Sequence, residues 1–217
     1  MLAFSSLLGN VEGQNIYRIW YDKPASYWEE ALPVGNGRIA AMVFGDPQLE
    51  QIQLNEETVS AGSPYQNYNE EAKTALPEMR RLIFEGKYEE AQNMAATKIL
   101  SQVGNEMPYQ TVGRLNIRYQ DHKKVNNYYR DLDISNAVAV TRYEVDGVEF
   151  TEETFASFTD QLVIRHIKAS KPGTINCELF FNTPMRDPKR SIYGKKGLRL
   201  EGITHGSRYF PGKVHYC

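Results

Sequence analysis

Among the pairs of adjacent carboxylates, three are candidates for chemistry that could drive bond cleavage: Glu29 with Glu30, Glu56 with Glu57, and Glu152 with Glu153. Hydrolysis of a glycosidic bond needs an acid at the leaving oxygen and a base or nucleophile opposite it, usually two carboxylates at a fixed separation. Neighbouring residues of a strand point to opposite faces, so no doublet makes such a pair by itself. Each doublet reads as solvated carboxylates at a strand edge, and no catalytic residue is assigned. Asn55 and Glu56 are the better candidates, because a polar pair closing an apolar strand suggests a site that faces something. Asn55 can equally hold the following turn through its own side-chain bonds. His122, His166, His205 and His215 have no ligand spacing, and His166 reads as a structural histidine in an apolar strand. There is no phosphate loop, nucleophile elbow or metal motif, so no metal or other cofactor is expected.

The elements that position Asn55 and Glu56 are two short apolar runs, residues 38–44 and 49–54, joined by Gly45-Asp46-Pro47. Pro47 lacks a backbone donor and Gly45 tolerates positive φ, so the runs read as antiparallel strands around a tight turn. Asn36-Gly37, just upstream, carries a type I′ turn signal. Asn36 itself reads as a turn residue. After residue 69 the period changes. Ala72, Leu76, Met79 and Ile83, with Leu82 and Phe84 beside them, form a helical stripe that Gly86 ends. A second helix follows from Lys87, so a helical pair spans about residues 69–100 as an insertion between strands. From Thr111 the pattern is β again. Asp146-Gly147 between alternating strands is the clearest hairpin, with further strands at 162–169, 174–182 and 198–203. The fold class that follows is mainly β, a large antiparallel β-sandwich with a helical-pair insertion.

The chain has 217 residues, enough for one large β domain or two small ones. A net charge of −2 gives no electrostatic case for nucleic acid or an anionic membrane surface. No apolar run approaches the ~20 residues needed to span a bilayer. Cys177 and Cys217 are too few for a disulfide framework or zinc site. Residues 1–14 read as a leader or signal-peptide remnant, and residues 15–217 as the β-sandwich, incomplete at its C-terminal end.

LPVGNGRIAAMVFGD followed by IQLNEETVSAGSP resembles the opening of the N-terminal domain of glycoside hydrolase family 95. Leu54, Asn55, Glu56 and Thr58 match the family's second motif, while Val59 stands where Trp is usual. The resemblance implies an exo-acting, inverting hydrolase of terminal α-L-fucosyl or α-L-galactosyl linkages, built from a β-sandwich followed by an (α/α)6 barrel. The family's acid and base lie in that barrel, so this chain is expected to be inactive alone. Its implied partners are the (α/α)6 catalytic domain of the same protein and, through it, a fucosylated or galactosylated glycan. Asn55 and Glu56 would then face the barrel or the sugar. A periplasmic or extracellular location is implied, with a cytoplasmic one left open. The alternative is a free-standing carbohydrate-binding β-sandwich.

Overall fold

Turn chemistry set down by Gly, Asp and Pro fixes where the strands of this chain reverse. The computed structural model describes residues 17–60, 68–101, 109–206 and 212–217. The leader at 1–14 and residues 61–64, the end of the second motif, lie outside the described residues. The chain packs as two units, Met1–Glu57 with Val112–Thr183, and Thr58–Thr111 with Pro184–Cys217.

Among the described residues, the first unit holds ten strands: β1 Arg18–Tyr21, β2 Leu32–Gly35, β3 Ile39–Val43, β4 Leu49–Glu56, β5 Gly113–Tyr119, β6 Val125–Asp133, β7 Val138–Val145, β8 Val148–Ser157, β9 Leu162–Ala169 and β10 Cys177–Asn182. They form two antiparallel sheets, ordered β1-β6-β7-β8-β9 and β10-β5-β4-β3-β2. Alternation decides which face each residue takes. Ala41 and Val43, Ile52, Ile117 and Tyr119 come from one sheet and Leu132 and Ala139 from the other, and they meet in one buried cluster. This is the β-sandwich expected from the sequence. Each fully buried aliphatic side chain there contributes about 1.5–3 kcal/mol.

The Gly45-Asp46-Pro47 turn joins β3 to β4 as anticipated, with Val43 opposite Ile52 and Ile39 opposite Glu56. The Asn36-Gly37 turn differs in detail. Gly35 pairs with Ala40, and Gly37 at φ +94° has the positive φ while Asn36 does not. The central residues are therefore Gly37 and Arg38. Asn36 flanks them, its Oδ1 accepting from Arg38 N at 3.1 Å and Ile39 N at 2.9 Å. Strand β2 gives no alternating signal because Leu-Pro-Val-Gly carries a proline; it occupies the sheet edge, where a missing donor is tolerated.

Asp146 and Gly147 have φ of +50° and +71°, and Val145 pairs with Val148, the register of a type I′ hairpin. Gly147→Val forces a β-branched residue into that region and is expected to lower stability by about 1–3 kcal/mol. A thermal melt checks this, and an unchanged midpoint would mean that the turn does not hold the register.

The second unit contains α1 Ala72–Phe84, α2 Tyr88–Met94, a π-helical turn at Ala95–Ile99, and the three-stranded sheet β11 Arg186–Tyr193, β12 Gly197–Ile203 and β13 His215–Tyr216. Pro77 lies inside α1. Ala72, Leu76, Met79 and Leu82 of the expected stripe are half-buried or buried together with Ala75, while Ile83 and Phe84 are exposed. Gly86, at φ +75°, ends the helix, with Lys87 N donating to Leu82 O at 2.9 Å. Strand β11 was not anticipated. It is exposed throughout, and its register shifts between Arg186 and Lys189, around Asp187 at positive φ and Pro188. A bulged strand of this kind carries no apolar alternation to read.

Candidate functional site

Between the two sheets of the first unit lies a buried ionic cluster. Glu50 projects inward from β4, in register with Ile52, and is 0% exposed. Glu152 projects from β8 in the series Val148, Phe150, Glu152, Thr154, and is 1% exposed. Arg165, from β9, lies between them. Its Nη2 donates to Glu50 Oε2 at 2.6 Å and to Glu152 Oε2, while Nη1 donates to Thr154 Oγ1 at 2.7 Å. Glu152 Oε1 also accepts from Tyr119 and Tyr143 hydroxyls, each at 2.7 Å. Burial pushes both phenols up, so they stay protonated as donors. The expectation that Glu152 is a solvated edge carboxylate is therefore wrong. Strand β8 is a central strand, and Glu152 has the parity of its apolar residues.

Glu153, on the other face, is 3.3 Å from His166 Nδ1. His166 is exposed rather than structural, because it too points away from the core. The buried histidine is His122. Its ring stacks on Tyr119 at 4.3 Å, its Nδ1 lies 3.0 Å from Pro47 O, and burial lowers its pKa, which favours the neutral ring. An Nδ1–H donated to Pro47 ties this loop to the β3–β4 turn.

Burial is the main cause that pushes the Glu50 carboxyl up to about 7, with Glu152 adding to it and Arg165 opposing it. A folded-state pKa above the unfolded value near 4.5 stabilises fully below that value and is lost as pH rises through about 7. A shift of that size corresponds to about 3 kcal/mol. The domain is expected to lose stability between pH 5 and 8, and Glu50→Gln to flatten the slope. Melts across that range check this; identical slopes for both proteins would place the titration elsewhere. Glu50 and Glu152 are sealed from solvent and cannot reach a sugar. The cluster bolts one sheet to the other.

A second buried cation shapes the surface. Arg130, 0% exposed, donates from Nε to Lys23 O at 2.8 Å and from Nη1 to Glu30 O at 2.7 Å, and stacks over Tyr21. It thereby clamps both ends of the segment that carries Tyr27 and Trp28. Glu29 and Glu30 belong to a short 3-10 turn there, and Glu30 Oε2 accepts from Ser26 N at 2.8 Å. Beside this segment the outer face of the β2–β5 and β10 sheet forms a groove of about 290 Å³. Tyr27, Trp28, Phe44, Asp46, Gln51 and Arg114 line it.

Asn55 and Glu56 do not converge. Asn55 pairs with Ala40 and shares the outer face with Gln51, about 13 Å along the strand. Glu56 has the opposite parity and accepts from Arg38 Nε at 3.1 Å. Among the described residues, no group of three or more His, Cys, Asp or Glu is placed to hold a metal ion, and no helix is long and apolar enough to cross a membrane.

Residues 19–215 match the family described as glycosyl hydrolase family 65, N-terminal domain, and the chain belongs to that family. Its relatives include alpha-L-fucosidase 2 of Arabidopsis thaliana, 37% identical over 181 residues that cover 81% of this chain and 21% of that protein. Probable alpha-fucosidase A of Aspergillus niger is 26% identical over 70% of this chain and 20% of its own length. The protein of the same name from Aspergillus oryzae is 25% identical over 91% and 28%. The family description carries the number 65 where the motifs resemble family 95. The three relatives bear the fucosidase name that the motif resemblance implies. The chain spans between a fifth and just over a quarter of their length. Val59, where the family pattern has Trp, is buried in the second unit.

Proposed function

We propose that this chain is the N-terminal β domain of an exo-acting α-L-fucosidase-like glycoside hydrolase that removes terminal α-L-fucosyl or α-L-galactosyl residues from glycans. The observation that carries this reading is the family match over residues 19–215, joined to fucosidase relatives of which the chain covers only 20–28%. In this reading an (α/α)6 domain of the same protein supplies acid and base. Asn55 and Glu56 meet that domain, or the sugar it holds, from the two faces of the β4 end rather than as a pair. The inter-sheet carboxylates are spent on the sandwich itself, which supports an inactive domain. A free-standing glycan-binding module is the second reading, and the groove beside Trp28 favours it.

The purified chain, offered aryl α-L-fucoside and 2′-fucosyllactose, is expected to release no sugar. Turnover that survives purification and disappears in Glu56→Gln would overturn the assignment and put catalysis in this domain.

A further inference from the structure

Trp28 and Tyr27 are 50% and 57% exposed, yet the segment that carries them is rigidly braced. Arg130 grips its two ends, Ala25 N donates to Phe44 O at 2.9 Å, and Ser26 N donates to Glu30 Oε2. Large aromatics left in water on a fixed loop forgo the stabilisation that burial gives, and a braced platform has little order left to lose on binding. Across the groove stand three planar polar groups. Arg114 Nη1 donates to Gln51 Oε1 at 2.9 Å and its guanidinium stacks 5.6 Å over the Phe44 ring. Asp46 Oδ1 accepts from Gln48 N at 2.8 Å and Leu49 N at 3.1 Å, which fixes the direction of its carboxylate. The Gln51 amide NH2 and the remaining guanidinium N–H groups are donors, and the Asp46 carboxylate is an acceptor.

We propose that this groove is a binding subsite for a neutral glycan chain. A pyranose has an apolar C–H face and a rim of hydroxyls that both donate and accept. The Trp28 and Tyr27 rings suit the first, and the Asp46, Gln51 and Arg114 groups suit the second. The lining holds one acid and one base, so it favours an uncharged ligand over a phosphate or an acidic sugar. Its volume of about 290 Å³ lies at the lower bound of about 300 Å³ for small-molecule clefts, a size for a mono- or disaccharide unit. The identity of the glycan rests on the fucosidase reading above; the recognition chemistry does not.

The chain has two tryptophans, so Trp20→Phe leaves Trp28 as the single indole reporter. Titration of that variant with 2′-fucosyllactose or lactose is expected to give a saturable fluorescence change with Kd on the order of 1 mM. Saturation-transfer NMR should show binding weakened at least about tenfold in Trp28→Ala and in Arg114→Met, a loss of about 1.4 kcal/mol or more, with melting midpoints unchanged. No saturable response, or a response that both variants leave intact, overturns the subsite. Equal binding of inorganic phosphate or a sialylated sugar overturns the neutral class. Binding needs no turnover, so an empty groove leaves the fucosidase reading standing. A filled groove in a complete protein that releases no fucose does the reverse.

Discussion

Arg165→Met is expected to lower the melting midpoint of the sandwich sharply at neutral pH, with a smaller loss on acidification. Arg165 is the cation between Glu50 and Glu152, carboxylates that are 0% and 1% exposed. Removing one partner from a buried ionic cluster leaves uncompensated charge and costs about 3–5 kcal/mol. Total stabilities of domains are about 5–15 kcal/mol, so the loss is a large share of what holds the fold. Protonating Glu50 relieves it, because the neutral acid no longer opposes Glu152. Adding Glu50→Gln to Arg165→Met should therefore recover part of the melting midpoint at pH 8. A single variant that melts with the parent at pH 8 would show that the cluster does not bind the sheets together.

Gly45→Ala is expected to cost about 2–6 kcal/mol, since strain and overpacking each contribute about 1–3. Gly45 sits at φ +74°, and a Cβ there would fall 2.8 Å from Tyr128 Oη and 2.9 Å from Arg130 Cδ. Its N–H donates to Glu50 Oε1 at 2.8 Å and its carbonyl accepts from Tyr128 Oη at 2.6 Å. The turn thus rests on both buried clusters at once. A Cβ on Gly37 or Gly147 meets nothing within 4 Å, so alanine there carries the backbone strain alone. Tyr128→Phe in the Gly45→Ala background should restore part of the loss. Equal melting midpoints for Gly45→Ala and Gly147→Ala would remove the packing argument.

Gly45 shows why part of the fold was legible in the sequence. Gly45-Asp46-Pro47 and Asp146-Gly147 are local signals, and both reverse the chain where read. The sandwich class followed from alternation between such turns. The inter-sheet cluster is a different matter. The parity Glu50-x-Ile52 and Phe150-x-Glu152 puts both carboxylates on core faces and was there to be read. That they meet around Arg165 depends on strands 115 and 13 residues apart in the chain, which no local pattern encodes. The groove was illegible for the same reason. Trp28 and Arg114 come from distant segments, and the clamp that presents Trp28 is Arg130, a residue with no motif around it. Asn55 and Glu56 were chosen as neighbours, and the strand sends them to opposite faces.

The proposal that this domain serves a fucosidase is tested most directly by following 2′-fucosyllactose with the complete protein that contains this chain. Proton NMR of the released sugar reports both cleavage and stereochemistry. The expected result is fucose released first as the β anomer, the inverted product of an α linkage, with none released by residues 1–217 alone. A complete protein that releases neither fucose from this substrate nor galactose from an α-L-galactoside would contradict it.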